Sequence, residues 1–578
     1  AQVQIVFSDR SHAAYEQALL RVPQEGMNFF SRKRASPPND EDTKKKSAFF
    51  PAGARAWMRH PVHAFVEVIV EGNIADGIRV RADRDMGDGP WVVDGKDLLH
   101  RHVNRECVPN MDELTELNMA EVLANVEDLY FKIQPKRPGQ GTNSIYSSVG
   151  PVLIAMNPFT SVPLYSEEWI RAYREAGSAG TLTFGKLGPH CYLTIEQAYQ
   201  GLHSNRHQSV VICGESGAGK TVSNRKMLEY LLDAESFNER PAKELRRAFS
   251  TSKSVSMQTS PAPSKLVRFS SFQLSRTAPL PIRTSKSLDL SKVPELVASA
   301  VRDRKNMIAE ANALLEAFGN AKTVRNDNSS RFGKYSQVHF DGTPNVVQGF
   351  EIEHYLLERS RVTSQPVGER NYHIFHQLME SEFVGQFKLN GGATAFAYTK
   401  GGAEVLTTDG QPFDDEDDFA DLLRSMGEAG FSKSDRHGIF ELIAAVLHLG
   451  NVEFEGTQDA SSVTLASTEA LKNASELLGV SADGEDGLQQ ALVTSKSKGR
   501  AEYTKDVGVA GARGQRDAIA RMLYTRVFDQ IVGSLNERLM NWRSVSRATV
   551  GLLDIFGFED MPLNGLEQMY INLTNERI

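Results

Sequence analysis

Cysteine is scarce in this chain: Cys107, Cys191 and Cys213 are three in 578 residues, far apart and odd in number. No disulfide framework and no metal-ligand spacing can be built from them, which points to a reducing compartment. No run of about 18 apolar residues occurs, so no transmembrane helix is expected. The N-terminus lacks the basic, apolar and small-residue succession of a secretion signal. Charge of one sign is not in excess either, since Lys+Arg 65 against Asp+Glu 73 leaves a net charge of −8. That balance argues against nucleic-acid binding, whose footprint is a basic domain. The remaining composition, 40% apolar and 24% charged, is that of an ordinary globular protein. The length suits several domains or one large enzyme core with appendages. The chain starts at Ala1 and stops at Ile578 inside a helical pattern, so both ends read as cut.

Two stretches offer almost nothing to bury. Residues 31–47 (SRKRASPPNDEDTKKKS) read as a solvated tail, and residues 1–50 as a whole are expected to be disordered,. Residues 246–292 are rich in serine, carry Pro261, Pro263, Pro279 and Pro281, and hold many Lys and Arg against the single acid Asp289. They read as a basic loop inside an insertion at about 234–293. Arg-x-x-Ser at Ser250 and Arg-x-Ser at Ser270 have the form of basophilic kinase sites. Between these stretches the pattern is regular. FVEVIVEG, GIRVRAD and DGPWVV alternate apolar and polar residues between Gly and Asp turns, which predicts a small β-barrel or sheet over 51–108,. Leu114, Leu117, Val122, Leu123 and Val126 recur at helical spacing over 111–130,. Residues 335–340 and 346–350 flank DGTPN as a hairpin, and helices are expected over 294–318, 371–379, 419–429, 437–449 and 516–542. The acidic run 414–418 complements a helix dipole and needs no functional explanation.

The chemistry concentrates in GESGAGKT (214–221). Its form is G-x-x-x-x-G-K-[ST], in which Gly214, Glu215, Ser216, Gly217, Ala218 and Gly219 curl the backbone so that successive N–H groups face phosphate oxygens. Lys220 supplies a cation for the β- and γ-phosphates, and the Thr221 hydroxyl can ligate Mg²⁺. The flanks suit the motif: SVVIC before it reads as a strand, and Val222, Met227, Leu228 and Leu231 after it read as a helix. A hydrolytic P-loop enzyme also needs a γ-phosphate sensor and a carboxylate near the metal. NDNSSRFGK (326–334) is a polar loop before a strand, and VGLLDIFGFE (550–559) is a buried-type strand ending on Asp554, with Gly557 and Glu559 beyond it. Each of these two segments alone is a weak signal.

In their order, GESGAGKT, NDNSSRFGKY and LLDIFGFED resemble the P-loop, switch I and switch II of the myosin motor family. NPFTSVPLY (157–165) is similar to its purine-binding loop, and LLEAFGNAKT, YLLERSRV, GERNYHIFHQL, AAVLHLGNVEF and RDAIARMLYTRVF match its interior landmarks. The resemblance runs from about Trp57 to Ile578, broken by the serine-rich insertion. It implies an α/β P-loop NTPase of the myosin motor type over 109–578, with a twisted central sheet flanked by helices and preceded by the small β module. By position, Asn157, Pro158 and Tyr165 would border the adenine. Lys220 and the P-loop amides would bind the phosphates, joined by Asn326, Asn328 and Ser329, and Ser329 would help relay a proton. Thr221 and Ser330 would ligate Mg²⁺, with Asp554 behind them. Arg331 and Glu559 would form the ion pair that closes the pocket, and Gly557 would sense the γ-phosphate.

The resemblance further implies Mg·ATP as ligand, F-actin as partner, and a cytoplasmic, cytoskeleton-associated location. It also implies light chains or calmodulin on a lever arm absent from these residues. EQMYINLTNERI resembles the start of the relay helix. The family places a further strand of the central sheet, the converter and the lever after that point, so unpaired strand edges are expected here. Two other readings stand beside this one. A kinesin-type microtubule motor shares the SSR and DxxGxE segments but not NPFTSVPLY or the long interval between switches. A nucleotide-binding scaffold without hydrolysis would not need Lys220, Ser329, Arg331 and Glu559 together.

Overall fold

The computed structural model describes residues 3–8, 50–60, 64–74, 76–83, 90–101, 107–114, 117–132, 145–182, 187–204, 207–237, 293–341, 346–484, 486–498, 502–540, 548–557 and 565–577. Most of the expected tail, nearly all of the serine-rich insertion and Glu559 therefore lie outside the described residues. The chain divides into two compact units, residues 1–201 with 208–212, and residues 202–207 with 213–578.

In the first unit, the alternating segments form an antiparallel five-stranded sheet in the order Trp91–Val93, Gly77–Ala82, Ala64–Ile74, Arg55–His60, Leu98–His100. Period-two patterning turns Ala56, Met58, Val66, Val68, Val70, Ile78 and Val80 onto one face, where they pack with Phe50 and Leu98,. Trp57 Nε1 donates to Glu121 Oε1 at 2.7 Å, joining this module to the helix Met119–Lys132. That helix starts later than its apolar spacing suggested, because Met111–Glu113 forms a separate 3-10 turn capped by Asn110.

A second group of strands, to which this unit contributes residues 208–212 of the first, runs His207–Gly214, Val3–Ser8, Val152–Met156, Tyr146–Val149. Val3–Ser8 departs from the expectation of a tail over 1–50: it pairs antiparallel with Val152–Met156, Val3 opposite Met156 and Ile5 opposite Ile154. VQIVFS combines β-branched and aromatic residues with no Gly or Pro, so its local preference is for strand. Composition averaged over the basic, proline-containing stretch that follows hid this. Its place gives each of the two neighbouring strands a partner on that side.

In the second unit, Gly333–Asp341 lies between Val346–Tyr355 and Ala548–Asp554, antiparallel to both. Ala548–Asp554 is buried along almost its whole length. A Cβ on Gly551 would fall 2.0 Å from the Tyr335 hydroxyl, so a glycine is needed where that ring crosses the strand. The register sets Lys334 opposite Asp554. Two long helices, Val293–Gly319 and Val509–Leu539, accompany these strands. Lys433–Gly450 opens with a capping box between Ser432 and Asp435, and Asp415–Glu428 opens on Asp414, whose carboxylate accepts from Asp417 N–H at 3.3 Å,. Leu449, Leu471, Leu488, Leu492 and Ala512 close a helical core in this unit.

Candidate nucleotide site

The P-loop strand His207–Gly214 buries Gln208, Val210 and Ile212, and its end delivers the loop to the helix Lys220–Phe237. Gly217 and Gly219 take φ of 81° and 89°, a region open to glycine at no steric cost,. The loop therefore curls, and the helix begins with the N–H groups of its first turn directed back toward the loop. Lys220 Nζ donates to Gly214 O at 2.7 Å and to Glu215 O at 2.8 Å, so its ammonium lies across the mouth of the loop.

Two other segments of the second unit reach this loop. The Thr221 hydroxyl donates to Asp554 Oδ2 at 3.3 Å. The Ser216 and Ser329 hydroxyls are 2.5 Å apart, linking the P-loop to the strand Asn326–Ser330. Gly557 touches the loop most closely: a Cβ there would lie 2.2 Å from Gly214 O and 2.6 Å from Glu215 Cα. Those are backbone atoms that cannot swing aside, so only glycine permits the approach. A hydroxyl beside a carboxylate is a hard-oxygen set that suits Mg²⁺, which takes few protein ligands and completes its shell with phosphate and water. Among the described residues no cluster of three or more His, Cys, Asp or Glu could hold a metal by itself.

The strand Asn326–Ser330 hairpins against Asn320–Thr323. Asn326 Oδ1 accepts from Asn328 N–H at 3.2 Å and its amide donates to Asn328 O at 3.1 Å, which fixes the turn. The Asn328 side chain donates to Glu316 Oε2 at 3.1 Å, accepts from Asn320 Nδ2 at 2.8 Å, and lies 3.3 Å from His373 Nε2. It braces the hairpin. The Ser330 hydroxyl donates to Phe332 O at 3.0 Å. Asp327, below its ordinary pKa, accepts from Thr408 N–H and hydroxyl and pairs with buried Lys322 at 3.3 Å. Burial would raise that carboxyl, but these bonds overcome it.

Arg331 is buried, and its Nε donates to Glu358 Oε2 at 2.6 Å. Burial alone would raise the Glu358 carboxyl, yet Arg361 and Arg331 hold it down at about 2. Glu358 lies in the segment YLLERSRV, where a Glu between Leu and Arg gives no hint of a long-range partner. Lys334, donating to Asn312 Oδ1 at 2.9 Å, is lowered by burial against the pull of Asp554 and Glu316. Burial likewise pushes the Cys213 thiol up to about 11, so it is protonated at neutral pH.

Asn157, Pro158 and Tyr165 lie in the first unit. Asn157 Oδ1 accepts from Phe159 N–H at 3.0 Å, Phe159 sits at φ 50°, and Pro158 O accepts from Tyr130 Oη at 3.5 Å. The Tyr165 and Tyr146 hydroxyls are 2.8 Å apart, and burial raises both. Behind them sits His190, missed in the sequence because a lone histidine carries no spacing signal. Its Nδ1 accepts from Tyr192 N–H at 3.0 Å, so the proton sits on Nε2, 3.1 Å from Leu164 O. Lying near-parallel to both Trp169 and Tyr173, the ring is held neutral by burial, its pKa lowered to about 3.

A family model of the myosin head (motor domain) matches residues 108–578. The chain belongs to the myosin head family. It is 33% identical over 488 residues to Myosin-52 of Schizosaccharomyces pombe, covering 83% of this chain and 27% of that protein. It is 32% identical over 482 residues to the Myosin ID heavy chain of Dictyostelium discoideum, covering 82% and 36% respectively. It is 32% identical over 500 residues to Unconventional myosin-Va of Rattus norvegicus, covering 84% and 23%. The chain thus spans about a quarter to a third of the length of these curated relatives.

Proposed function

We propose that this chain is the nucleotide-hydrolysing part of an actin-based motor: it binds Mg·ATP, hydrolyses it, and couples hydrolysis to F-actin. The observation that carries the reading is the meeting of three separate segments at one point, through Thr221 with Asp554, Ser216 with Ser329, and Gly557 with the Gly214 carbonyl. Phosphoryl transfer needs little covalent chemistry from the protein. It needs positioning and charge, in a pocket that excludes water other than the attacking one. In this reading Lys220 and the amides of 214–221 hold the phosphates, with Asn326 and Ser329 on the switch side. Thr221 and Ser330 would hold Mg²⁺, with Asp554 behind; the metal, when bound, neutralises phosphate charge. Ser330 would turn its hydroxyl from Phe332 O to do so. Gly557 N–H meets the γ-phosphate, and Arg331 pairs with Glu559 to close the pocket. Asn157, Pro158 and Tyr165 border the base. Asn328, exposed on the strand beside Asn326, joins Asn326 and Ser329 on the phosphate side. The protein is read as cytoplasmic and cytoskeleton-associated, with light chains or calmodulin on a lever arm. Among the described residues no helix is long and apolar enough to cross a membrane.

The test is Mg-dependent ATPase activity of the full-length protein with F-actin, with microtubules and with neither. Stimulation by F-actin alone supports the reading, and stimulation by microtubules alone would overturn it. Glu559→Ala should bind ATP nearly normally and fail to hydrolyse it; normal single-turnover hydrolysis would remove Glu559 from the gate.

A further inference from the structure

Arg331 opens onto a buried file of alternating charge. Its Nε and that of Arg361 both donate to Glu358 Oε2, at 2.6 Å and 2.7 Å. Arg361 Nη2 continues to Glu369 Oε2 at 2.7 Å, and its Nη1 donates to Arg370 O at 2.9 Å. Arg331, Glu358, Arg361 and Glu369 are each at most 6% exposed. The file then closes back on the switch hairpin. Glu369 Oε1 accepts from Val324 N–H at 3.3 Å, at the hairpin turn. Arg370 N–H donates to Lys322 O at 3.0 Å, and Glu358 N–H donates to Arg331 O at 3.0 Å. Residues 358–370 therefore hold the hairpin at both ends: at Lys322 and Val324, and at Arg331 where the strand leaves it.

We propose that Glu358 is a positioning residue for ATP hydrolysis, holding the Arg331 guanidinium and, through Arg361 and Glu369, the switch hairpin in the arrangement that meets the reacting phosphate. This rests on the ATPase reading above. Guanidinium is planar, and a carboxylate on its Nε edge fixes the plane as well as the charge. Glu358 is also the anion between two buried arginines. Removing its charge leaves two like charges facing each other at low dielectric, and the Arg331 head group moves away. A buried ion file is poor evidence of added stability, since packed apolar side chains of the same volume do as well. Its return to both ends of the hairpin that carries Asn326, Ser329 and Arg331 is what ties it to the reaction.

The test uses Glu358→Gln, Glu358→Asp and Glu369→Gln in the full chain. Binding is read with a fluorescent ATP analogue, and the chemical step by quenched single turnovers. In Glu358→Gln, nucleotide affinity should stay within about threefold while the hydrolysis step slows about 100-fold, the effect of a displacement of roughly 1 Å. Glu358→Asp should fall between wild type and Gln. Glu369→Gln, acting through Arg361, should slow hydrolysis about tenfold by the same displacement argument. Wild-type hydrolysis in Glu358→Gln, or parallel losses of affinity and hydrolysis, would overturn the proposal. If Glu358→Gln does not fold, Glu358→Asp decides on the same two measurements. Wild-type protein that binds ATP without hydrolysing it would remove the ATPase reading and this proposal together. Normal wild-type turnover with an unaffected Glu358→Gln removes only the positioning role.

Discussion

At the residue scale, the site depends on side chains that cannot be exchanged for near neighbours. Lys220 is the cation at the mouth of the loop, bonded to two of the loop's own carbonyls. Lys220→Ala should lower Mg·ATP affinity by at least about 100-fold, since hydrogen bonds to charged groups are worth roughly 1.5–3 kcal/mol each and the phosphate loses its paired charge. Equilibrium binding of a fluorescent ATP analogue measures it, and unchanged affinity would move the phosphates elsewhere. Gly557→Ala tests closeness instead of charge. The added methyl would meet Gly214 O at 2.2 Å, so the segment after Asp554 must withdraw. Nucleotide should still bind, while single-turnover hydrolysis should drop by about 100-fold or more. Normal turnover would mean that the backbone N–H of this residue is not at the γ-phosphate in the working protein.

At the element scale, the three segments that meet at residues 214–221 were legible because each is a short backbone device with a local code. Glycines permit the curl, and hydroxyls and a carboxylate follow at fixed offsets. Glu358 was not legible as the partner of Arg331 because the two are distant in sequence, and His190 because a lone histidine carries no spacing signal. Arg331 and Glu358 are 27 residues apart, and Lys322 and Arg370 are further. Val3–Ser8 was misread for the opposite reason: a six-residue strand was averaged into a disordered composition. Its position predicts that Ile5→Pro, which removes a ladder N–H opposite Ile154, will destabilise the first unit and expose its sheet,. A lowered melting temperature with increased binding of an apolar dye should follow. An unchanged melting curve would show that the strand is dispensable. Trimming residues 246–292 to a short Gly-Ser linker should alter ADP release and leave ATPase activity present, since that segment carries no apolar periodicity.

At the scale of the whole molecule, burial of neutral histidines sets a stability response to acid. His190 and His373 are each lowered to about 3, and His376 well below its ordinary value, all by burial first. Each is depressed on folding, so below the ordinary value of 6.5 the unfolded chain takes up protons that the folded chain refuses. Their contribution is complete above pH 6.5 and is lost progressively as pH falls toward 3. One pH unit below 6.5 each such group costs on the order of 1 kcal/mol. Glu358, depressed to about 2 from 4.5, adds a second loss between those values. Denaturant melts between pH 7.5 and 5 should show a steady fall, and His190→Gln should flatten it. A pH-independent midpoint over that range would mean that these rings are solvated in solution.

What the sequence determined by itself was the local device at each short segment: a glycine-rich loop ending on Lys220 and Thr221, a hydroxyl-rich strand, and an Asp followed by a close-approach glycine. These need only local backbone conformation, which a few residue types dictate through sterics. The tertiary structure decided which of those groups meet and what holds them. It set Ser329 against Ser216, tied Asn328 to Glu316 at the surface, and gave Arg331 a carboxylate 27 residues away. Such pairings come from chain crossings and burial, where low dielectric makes an unpaired charge costly and so selects a partner that no local pattern announces.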